Sequence, residues 1–286
     1  MILVTGATGR IGREVTTALA AAGSAVRVFA RDARKVETFR TPGVEIAVGD
    51  LDSPDTVRAA LDGVEKLFLL TPGDPRLVEQ QGRAVEAAQR AGVRHIVKFS
   101  ALGAAVDSPV SVLRWHAQAE QQIEESGLDF THLRPHYFMQ NLLGFAASIA
   151  GEGRFHAPMK TGRIGLVDTR DVAAVAARVL CEPGHGGRIY EITGPEAHSF
   201  ADLAAQIGDA CGREVAYVDV SPSEAEKAML AAGLPAWLAD ALNGLYGIFS
   251  AGHASRLTRV VEEVTGKPAR TFAAFAREYA RDFAPA

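Results

Sequence analysis

Short apolar segments alternate with amphipathic segments along the first half of the chain. Residues 1–4 are apolar, and residues 13–22 then carry apolar side chains at helical spacing. Residues 64–70 end in an unbroken apolar run, which is typical of a strand buried on both faces. Repetition of this strand–helix unit predicts an α/β fold with a doubly wound parallel sheet. The expected strands cover residues 1–4, 25–31, 44–50, 64–70, 93–100 and 128–135.

The second half of the chain is less regular and richer in helical patterns. Residues 136–149 are predicted to be helical, and Ala- and Leu-rich helices are expected from residue 223 onward. We therefore predict a sheet domain over residues 1–150, which also receives residues 164–195. A smaller, mostly helical and discontinuous lobe is predicted over residues 151–286.

Three glycines, Gly6, Gly9 and Gly12, lie between the first predicted strand and the first predicted helix. A helix N-terminus exposes backbone N–H groups that attract phosphate, and glycines let a pyrophosphate approach the backbone closely. The GxxGxxG spacing alone is a weak signal, since an ordinary tight turn would also use glycine. Its position between a strand and an amphipathic helix favours an NAD(P)-binding Rossmann domain.

The end of the second strand predicts which dinucleotide is preferred. An NAD site usually places Asp or Glu there to bind the ribose 2′-hydroxyl, whereas this chain has Arg31. A guanidinium binds a 2′-phosphate, so we expect NADP(H), with Lys35 and Arg10 assisting. Asp32 keeps NAD(H) possible, and a merely solvated basic turn is the alternative interpretation.

The remaining cofactor contacts follow from the rule that ligands of open α/β sheets lie at the carboxyl ends of the strands. We expect the adenine after strand three, the ribose and pyrophosphate after strand four, and the nicotinamide after strands five and six. The predicted cofactor-binding residues are Gly6, Thr8, Gly9, Arg10, Ile11, Gly12, Arg31, Lys35, Asp50, Leu51, Thr71, Pro72, Ser100, Ala101, Pro135 and Phe138.

Composition narrows the function classes. The chain has 286 residues, 48% of them hydrophobic, which is enough for a sizeable core. Its formal net charge of -4, without a basic run, argues against a nucleic-acid partner. The two cysteines lack CxxC spacing and no His/carboxylate ligand cluster occurs, so no metal site is expected. Neither a signal segment nor a membrane-spanning apolar run is apparent, and we expect a cytoplasmic protein with no membrane partner.

Several segments together resemble the NmrA-like branch of the atypical short-chain dehydrogenases/reductases. They are residues 4–12, 49–51, 99–101, 133–135 and 190–195. Within that branch the chain is most similar to the NAD(P)H:quinone oxidoreductase and triphenylmethane reductase group. The resemblance implies a Rossmann domain, a small substrate-binding lobe and bound NAD(P)H. It covers most of the chain and is most specific in the first 140 residues.

The chain differs from typical short-chain reductases in the residues expected to donate a proton. Typical short-chain reductases have a YxxxK motif on the helix after strand five, and this chain has Val112 and His116 at the corresponding positions. The atypical branch commonly lacks the motif. His116 is therefore a candidate catalytic residue, or else an i,i+4 partner of Glu120 that orders the helix. Tyr137 is a second candidate, or else a wall residue of the cleft, and His136 is a further polar group there.

Two functions follow from these observations. The first is an NADPH-dependent reductase that passes hydride to a flat, electron-poor acceptor such as a quinone, dye or enone, with solvent supplying the later proton. The alternative, motivated by the missing catalytic pair, is an NADP(H)-binding redox sensor with a protein partner and little turnover. A homodimer is compatible with either function.

Overall fold

The computed structural model describes residues 1–39 and 42–285. Its strands are short, and those in the first half are mostly buried, as their apolar sequences predict. The strands are β1 Ile2–Val4, β2 Val26–Ala30, β3 Val44–Val48, β4 Lys66–Leu69, β5 His95–Phe99, β6 Asp129–Pro135, β7 Arg154–Ala157, β8 Arg163–Ile164, β9 Arg188–Ile192, β10 His198–Ser199 and β11 Ala216–Asp219.

Helices alternate with these strands as far as β6 and predominate after β11. Two 3-10 helices, Ala33–Phe39 and Met139–Phe145, accompany them. The α-helices are α1 Arg10–Ala21, α2 Pro54–Ala60, α3 Leu77–Ala91, α4 Ser111–Glu125, α5 Ala146–Glu152, α6 Thr169–Cys181, α7 Phe200–Cys211, α8 Pro222–Ala231, α9 Ala236–Ser250, α10 Val260–Thr265, α11 Phe272–Glu278 and α12 Ala280–Phe283.

Within the described residues, seven strands form one parallel sheet in the order β3-β2-β1-β4-β5-β6-β9. β1 lies between β2 and β4, with Val4 in register with Val28 of β2 and with Phe68 of β4. The strand order reverses between β1 and β4, which is the switch point where such sheets bind ligands. The predicted doubly wound parallel Rossmann fold is confirmed.

The chain forms two compact units. The first contains residues 1–135, 169–192 and 263–266, and the second contains residues 136–168, 193–262 and 267–286. The chain thus enters the second unit directly after Pro135, whereas the sequence placed the first boundary at residue 150. The return of residues 169–192 to the first unit supplies β9 to its sheet. The substrate-binding role assigned to the smaller lobe stays a prediction.

The second unit has its own core, which is rich in aromatic rings. Phe155 and Phe200 are fully buried, with ring centroids 5.8 Å apart, and Tyr217 packs against both. Phe272 and Phe275 extend the same cluster. The unit therefore has a hydrophobic core independent of the parallel sheet.

Candidate cofactor and active site

The turn after β1 is shaped by the absence of side chains. Gly6 has φ +66°, and a Cβ on it would lie 2.8 Å from both Cγ and O of Leu70. The Thr5 hydroxyl holds the turn against the end of β4, since it donates to Leu70 O at 2.9 Å and accepts from Leu70 N at 2.8 Å. We call residues 5–12 the glycine turn. Its backbone conformation and packing both require glycine at position 6.

Helix α1 begins inside this turn. A Cβ on Gly12 would lie 2.2 Å from Gly6 O, so the first turn of the helix packs directly on the backbone that precedes it. Gly9 is the N-cap and supplies no side-chain hydrogen bond to the first-turn amides. These amides and the positive end of the helix dipole therefore remain suited to an anion. The predicted Thr8 and Arg10 are exposed beside them, while Ile11 is buried.

The end of β2 presents positive charge. Arg31 and Lys35 are exposed, and no ion pair to the Arg31 side chain occurs in residues 1–39 and 42–285. The nearby carboxylate of Asp32 is bound by Arg34 through its guanidinium and its backbone N–H. These hydrogen bonds hold the pKa of Asp32 below its usual value. The carboxylate that would favour NAD is thus engaged by a neighbour, and Arg31 is left to face an incoming anion.

The loop after β3 contains the predicted adenine contacts Asp50 and Leu51, both partly buried. Asp50 N donates to the Thr56 hydroxyl at 3.1 Å, and Asp50 Oδ1 accepts from Asp52 N at 3.0 Å. Leu51 packs against the apolar core that includes Leu3 and Leu67. This loop is therefore fixed from both ends by local hydrogen bonds and packing.

The loops after β4 and β5 hold the other predicted contacts of the first unit. Thr71 is buried and accepts a hydrogen bond from Gln81 Nε2 at 2.9 Å, whereas Pro72 is exposed. Ser100 N donates to Leu133 O at 2.7 Å, which places Ser100 and Ala101 beside the end of β6 at Pro135. These loops all follow carboxyl ends of parallel strands, so the structure brings the predicted residues of the first unit to one edge of the sheet.

A cluster of polar side chains is buried where α4 packs on β5 and β6. Lys98 Nζ lies 3.0 Å from His116 Nδ1 and donates to Phe99 O at 3.2 Å. Glu120 accepts two hydrogen bonds from the guanidinium of Arg134, at 3.0 and 2.5 Å. We call this group the polar layer; it consists of Lys98, Ser100, His116, Glu120, His132 and Arg134.

Burial in the polar layer lowers the pKa values of Lys98 and His116. Burial lowers the pKa of Lys98 to about 7, although the charge of Glu120 opposes the shift. Burial, reinforced by Lys98, holds the pKa of His116 well below its usual value. Burial is the largest single influence on Glu120 and raises its pKa, but hydrogen bonds from Arg134 and Ser100 and the nearby positive charges together lower it. Glu120 is therefore an anion paired with Arg134, while Lys98 has a neutral imidazole beside it.

Two buried polar atoms of the layer have no hydrogen bond of good geometry to the residues that the structure describes. Ser100 Oγ is buried without a bond of good geometry in the described residues, although the hydroxyl is close enough to help lower the pKa of Glu120. His132 donates through Nε2 to Glu124 at 3.1 Å and leaves Nδ1 buried without a described partner. Because Ser100 directly follows β5 at the ligand edge of the sheet, its hydroxyl is available to a polar group bound there.

The structure corrects one interpretation of His116. The sequence offered an i,i+4 pair with Glu120 as an alternative, but His116 hydrogen-bonds Lys98 and Glu120 binds Arg134 instead. His116 is 8% exposed, and no hydrogen bond to its Nε2 occurs in the part of the chain that the structure describes. The catalytic role of His116 stays a prediction.

The other candidate acids lie in the second unit. His136 donates through Nε2 to Ala254 O at 2.9 Å and accepts at Nδ1 from Tyr137 N, and burial lowers its pKa to about 4. Both ring nitrogens are thus used by the backbone, which makes His136 structural. Burial raises the pKa of Tyr137 well above its usual value, and its ring packs on Phe249. Phe138 forms a bridge with Val167. Cofactor contact by Phe138 and catalysis by Tyr137 stay predictions.

Comparison with known proteins identifies the family of this chain. The model of the family described as NmrA-like matches residues 1–273. The chain belongs to the NmrA-like family. This confirms the resemblance drawn from the sequence motifs.

Three relatives within or near this family are informative. The chain is 43% identical over 286 residues to an NAD(P)H azoreductase of Xenophilus azovorans, covering 100% of both chains. It is 38% identical over 288 residues to a (4-alkanoyl-5-oxo-2,5-dihydrofuran-3-yl)methyl phosphate reductase of Streptomyces griseus, again covering 100% of both. A solved structure of the NADPH-dependent quinone oxidoreductase QOR2 of Escherichia coli in complex with NADPH superposes with a TM-score of 0.91, at 30% identity, covering 97% of this chain and 99% of that one.

Sequence reasoning for this NmrA-like protein missed Lys98, Arg134 and His132. A signal was present, because Lys98, His132 and Arg134 are charged or polar residues within predicted inner strands of the sheet, where such side chains need a buried partner. Their pairing with His116 and Glu120 depends on how α4 packs, which sequence spacing does not specify. No group of three His, Cys, Asp or Glu side chains able to hold a metal ion occurs among residues 1–39 and 42–285. Nor does any helix there have the length and apolar character needed to span a bilayer.

Proposed function

We propose that this protein is an NAD(P)H-dependent reductase of flat, electron-poor small molecules, with NADPH as the preferred donor. The observation that carries the proposal is the glycine turn at the switch point of the sheet, next to an unpaired Arg31. The relatives named for azo, quinone and unsaturated lactone reduction support this class of acceptor. All three acceptors stabilise the negative charge that hydride addition leaves.

The residues present fit a bound NADP(H). A Cβ on Gly6 would collide with Leu70 and a Cβ on Gly12 with the Gly6 backbone, so the turn keeps this conformation only with glycine there, and the α1 amides have no side-chain cap. Arg31 would bind the 2′-phosphate bidentately, assisted by Lys35 and Arg10. Asp50, Leu51, Thr71 and Pro72 would line the adenosine and ribose portions. The hydroxyl of Ser100, with Ala101 and Pro135, would border the nicotinamide.

When bound, the reduced nicotinamide supplies the hydride. The chain's own contribution is to orient the dinucleotide along the carboxyl edge of the sheet and to exclude water from it. Tyr137 is a poor proton donor, since burial raises the pKa of its hydroxyl well above the usual value. His116 is the remaining candidate for handling a proton.

The test is oxidation of NADPH by the purified protein with a panel of quinones, azo dyes and enones. We expect turnover with at least one class and a lower KM for NADPH than for NADH. The informative variant is Gly9→Val, because the Cβ itself would meet only Gly6 O at 3.4 Å while the added methyls would cover the α1 amides. We expect a folded protein with at least tenfold weaker NADPH binding.

Gly151→Val is the matched control, since Gly151 is an exposed glycine of α5 with open space around it. It should bind and oxidise NADPH as the wild type does. Tight NADPH binding without turnover on any acceptor would instead favour the redox-sensor function. Normal NADPH binding by Gly9→Val would contradict the site itself.

A further inference from the structure

The helix that usually supplies a tyrosine and a lysine for proton transfer has neither here. In α4, Val112 and His116 occupy those positions. A Cβ on Gly73, which follows β4, would lie 3.5 Å from Val112 Cγ2, so this part of α4 borders the ligand edge of the sheet. His116 lies one helical turn from Val112 on the same face. With neither Tyr nor Lys in α4, His116 is the candidate acid on this face of the helix.

Lys98 lies directly beneath His116. Its side chain is fully buried, reaches α4 from the middle of β5, and makes its Nζ hydrogen bond to Nδ1 of the ring. While Lys98 is an ammonium, Nζ can only donate, so Nδ1 accepts its hydrogen bond and the ring proton sits on Nε2. In that state Lys98 fixes the tautomer of His116 and leaves Nε2–H without a hydrogen-bond partner among the described residues, on a side chain that is 8% exposed.

The charges around Lys98 leave its proton mobile. From β6, Arg134 and the neutral His132 face the layer, and from α4, Glu120 and Glu124 do so. Glu120 is held by two bonds from Arg134, so no carboxylate is hydrogen-bonded to Nζ in the described structure. On the neighbouring strand β4, Leu69 is in register with Lys98. With burial bringing its pKa to about 7, Lys98 exists in both protonation states near neutral pH.

We propose that Lys98 and His116 form a proton relay for the reductase, in which Lys98 positions His116 and reloads it with the proton that the reduced acceptor takes up. The inference rests on the proposed function. It deepens that function by predicting acceptors whose reduced anion is a strong base, such as azo compounds, rather than quinones alone.

The proton balance of the relay is simple. Hydride brings two electrons to the acceptor and leaves it negatively charged. Nε2–H of His116 gives its proton to that anion while Nδ1 takes one from the Lys98 ammonium, so the ring stays neutral and Lys98 becomes an amine. Nε2 then takes a proton from solvent and the Nδ1 proton returns to Lys98. Each turnover consumes one solvent proton, and Lys98 needs no contact with water.

The first test measures the protein without turnover. Nitrogen-15 NMR of the histidine rings, followed against pH, should show His116 as the Nε2–H tautomer with an inflection near pH 7 as Lys98 loses its proton. Lys98→Met should abolish the inflection. Lys66→Met is the matched control, because Lys66 is also a strand lysine bonded to a carbonyl, Leu180 O, but at the start of β4. It should keep the inflection.

The second test measures kinetics with two acceptors. For an azo dye, kcat of the wild type should fall as pH rises through about 7, because the protonated form of the pair is needed. Lys98→Met should lower kcat about 100-fold and remove this pH dependence, the usual size of a general-acid effect. With a quinone, whose reduced anion is a weakly basic phenolate, kcat should change less than about threefold. Lys98→Arg should keep the tautomer but not restore kcat, since arginine does not release its proton.

The outcomes separate the two proposals. An unchanged His116 titration in Lys98→Met, or equal losses with both acceptors, would overturn the relay while leaving a reductase. No turnover by the wild type with any acceptor would overturn the reductase and the relay together. Thermal melting and NADPH affinity of Lys98→Met should match those of Lys66→Met, which excludes unfolding as the cause of a loss.

Discussion

The glycine turn and the polar layer lie on opposite sides of β4 in the same sheet, and they prepare a site in opposite ways. In the turn, backbone approaches backbone because side chains are missing, with a Cβ on Gly12 only 2.2 Å from Gly6 O. In the layer, long side chains from β5, β6 and α4 meet in the interior, where Lys98 is fully buried. The turn uses fixed amide dipoles and contains no buried ionisable group, whereas the layer depends on protonation states. We therefore expect steric changes to disable the turn and pH to disable the layer.

The largest effect should come from adding one methyl group to the turn. In Gly12→Ala the new Cβ would also lie 2.6 Å from Gly6 C and 2.8 Å from Ala7 Cα, so backbone must move. Overpacking of this kind costs about 3 kcal/mol, and we expect a lower free energy of unfolding together with loss of NADPH binding. Denaturant unfolding and a cofactor titration measure the two effects.

Gly247→Ala is the control for that experiment. Gly247 lies in α9 with open space around it, and alanine favours helix, so this variant should be as stable as the wild type or slightly more so. If Gly12→Ala unfolds at the wild-type denaturant concentration and still binds NADPH, the close approach of α1 to the turn is needed neither for stability nor for cofactor binding.

This contrast also explains what the sequence could predict. The turn is encoded locally, within residues 5–12 between a strand and a helix, and position alone made Gly6, Gly9 and Gly12 recognisable. The layer joins Lys98, His116 and Arg134, which are far apart in the chain and meet only after packing. For the same reason helical spacing offered Glu120 as an alternative partner of His116, whereas tertiary contacts give each of them a different partner.

Local patterns also failed where tertiary pairing overrode them. Residues 136–149 were predicted as one helix, but Tyr137 O accepts from Val167 N and Met139 N donates to Val167 O, which keeps the start of this segment extended. A 3-10 helix, Met139–Phe145, follows before α5 begins. The spacing of apolar residues in this segment is compatible with a helix. It carries no information about the bridge between Phe138 and Val167, which are far apart in the sequence. The domain boundary moved to Pro135 with this segment.

A smaller effect should appear as an acid sensitivity of the layer. Burial lowers the pKa of His132 to about 4, below the ordinary value of about 6.5. The unfolded chain therefore binds the proton first, and the stability due to neutral His132 is lost as pH falls from about 6.5 towards 4. Between pH 6.5 and 5 the loss is about 2 kcal/mol. Denaturant unfolding of the wild type and of His132→Gln across this range should show a shallower slope for the variant.

His156→Gln provides the comparison, because His156 is exposed on β7. It should keep the wild-type slope. Equal slopes for the wild type and His132→Gln would show that acid acts elsewhere and that the layer does not make the fold sensitive to pH.

The smallest effect distinguishes the two nucleotides at the rim of the turn. Arg31→Ala should weaken NADPH and NADP about tenfold, or about 1.4 kcal/mol, and leave NADH and NAD unchanged, since only the phosphorylated pair offers an anion there. Lys35→Ala should act in the same direction with a smaller change, because a point charge lacks the bidentate geometry. Titration with the four nucleotides at one salt concentration measures this.

Arg34→Ala sharpens the same comparison, because Arg34 holds the Asp32 carboxylate through two guanidinium bonds of 3.0 and 2.9 Å. Its removal should release that carboxylate towards the ribose, so that NADPH binds more weakly while NADH binds as well as before or better. Arg58→Ala, which removes an exposed arginine of α2, should leave all four affinities unchanged. If Arg31→Ala and Arg58→Ala behave alike, the 2′-phosphate is not recognised at the end of β2. The glycine turn would then bind a dinucleotide without distinguishing NADP(H) from NAD(H).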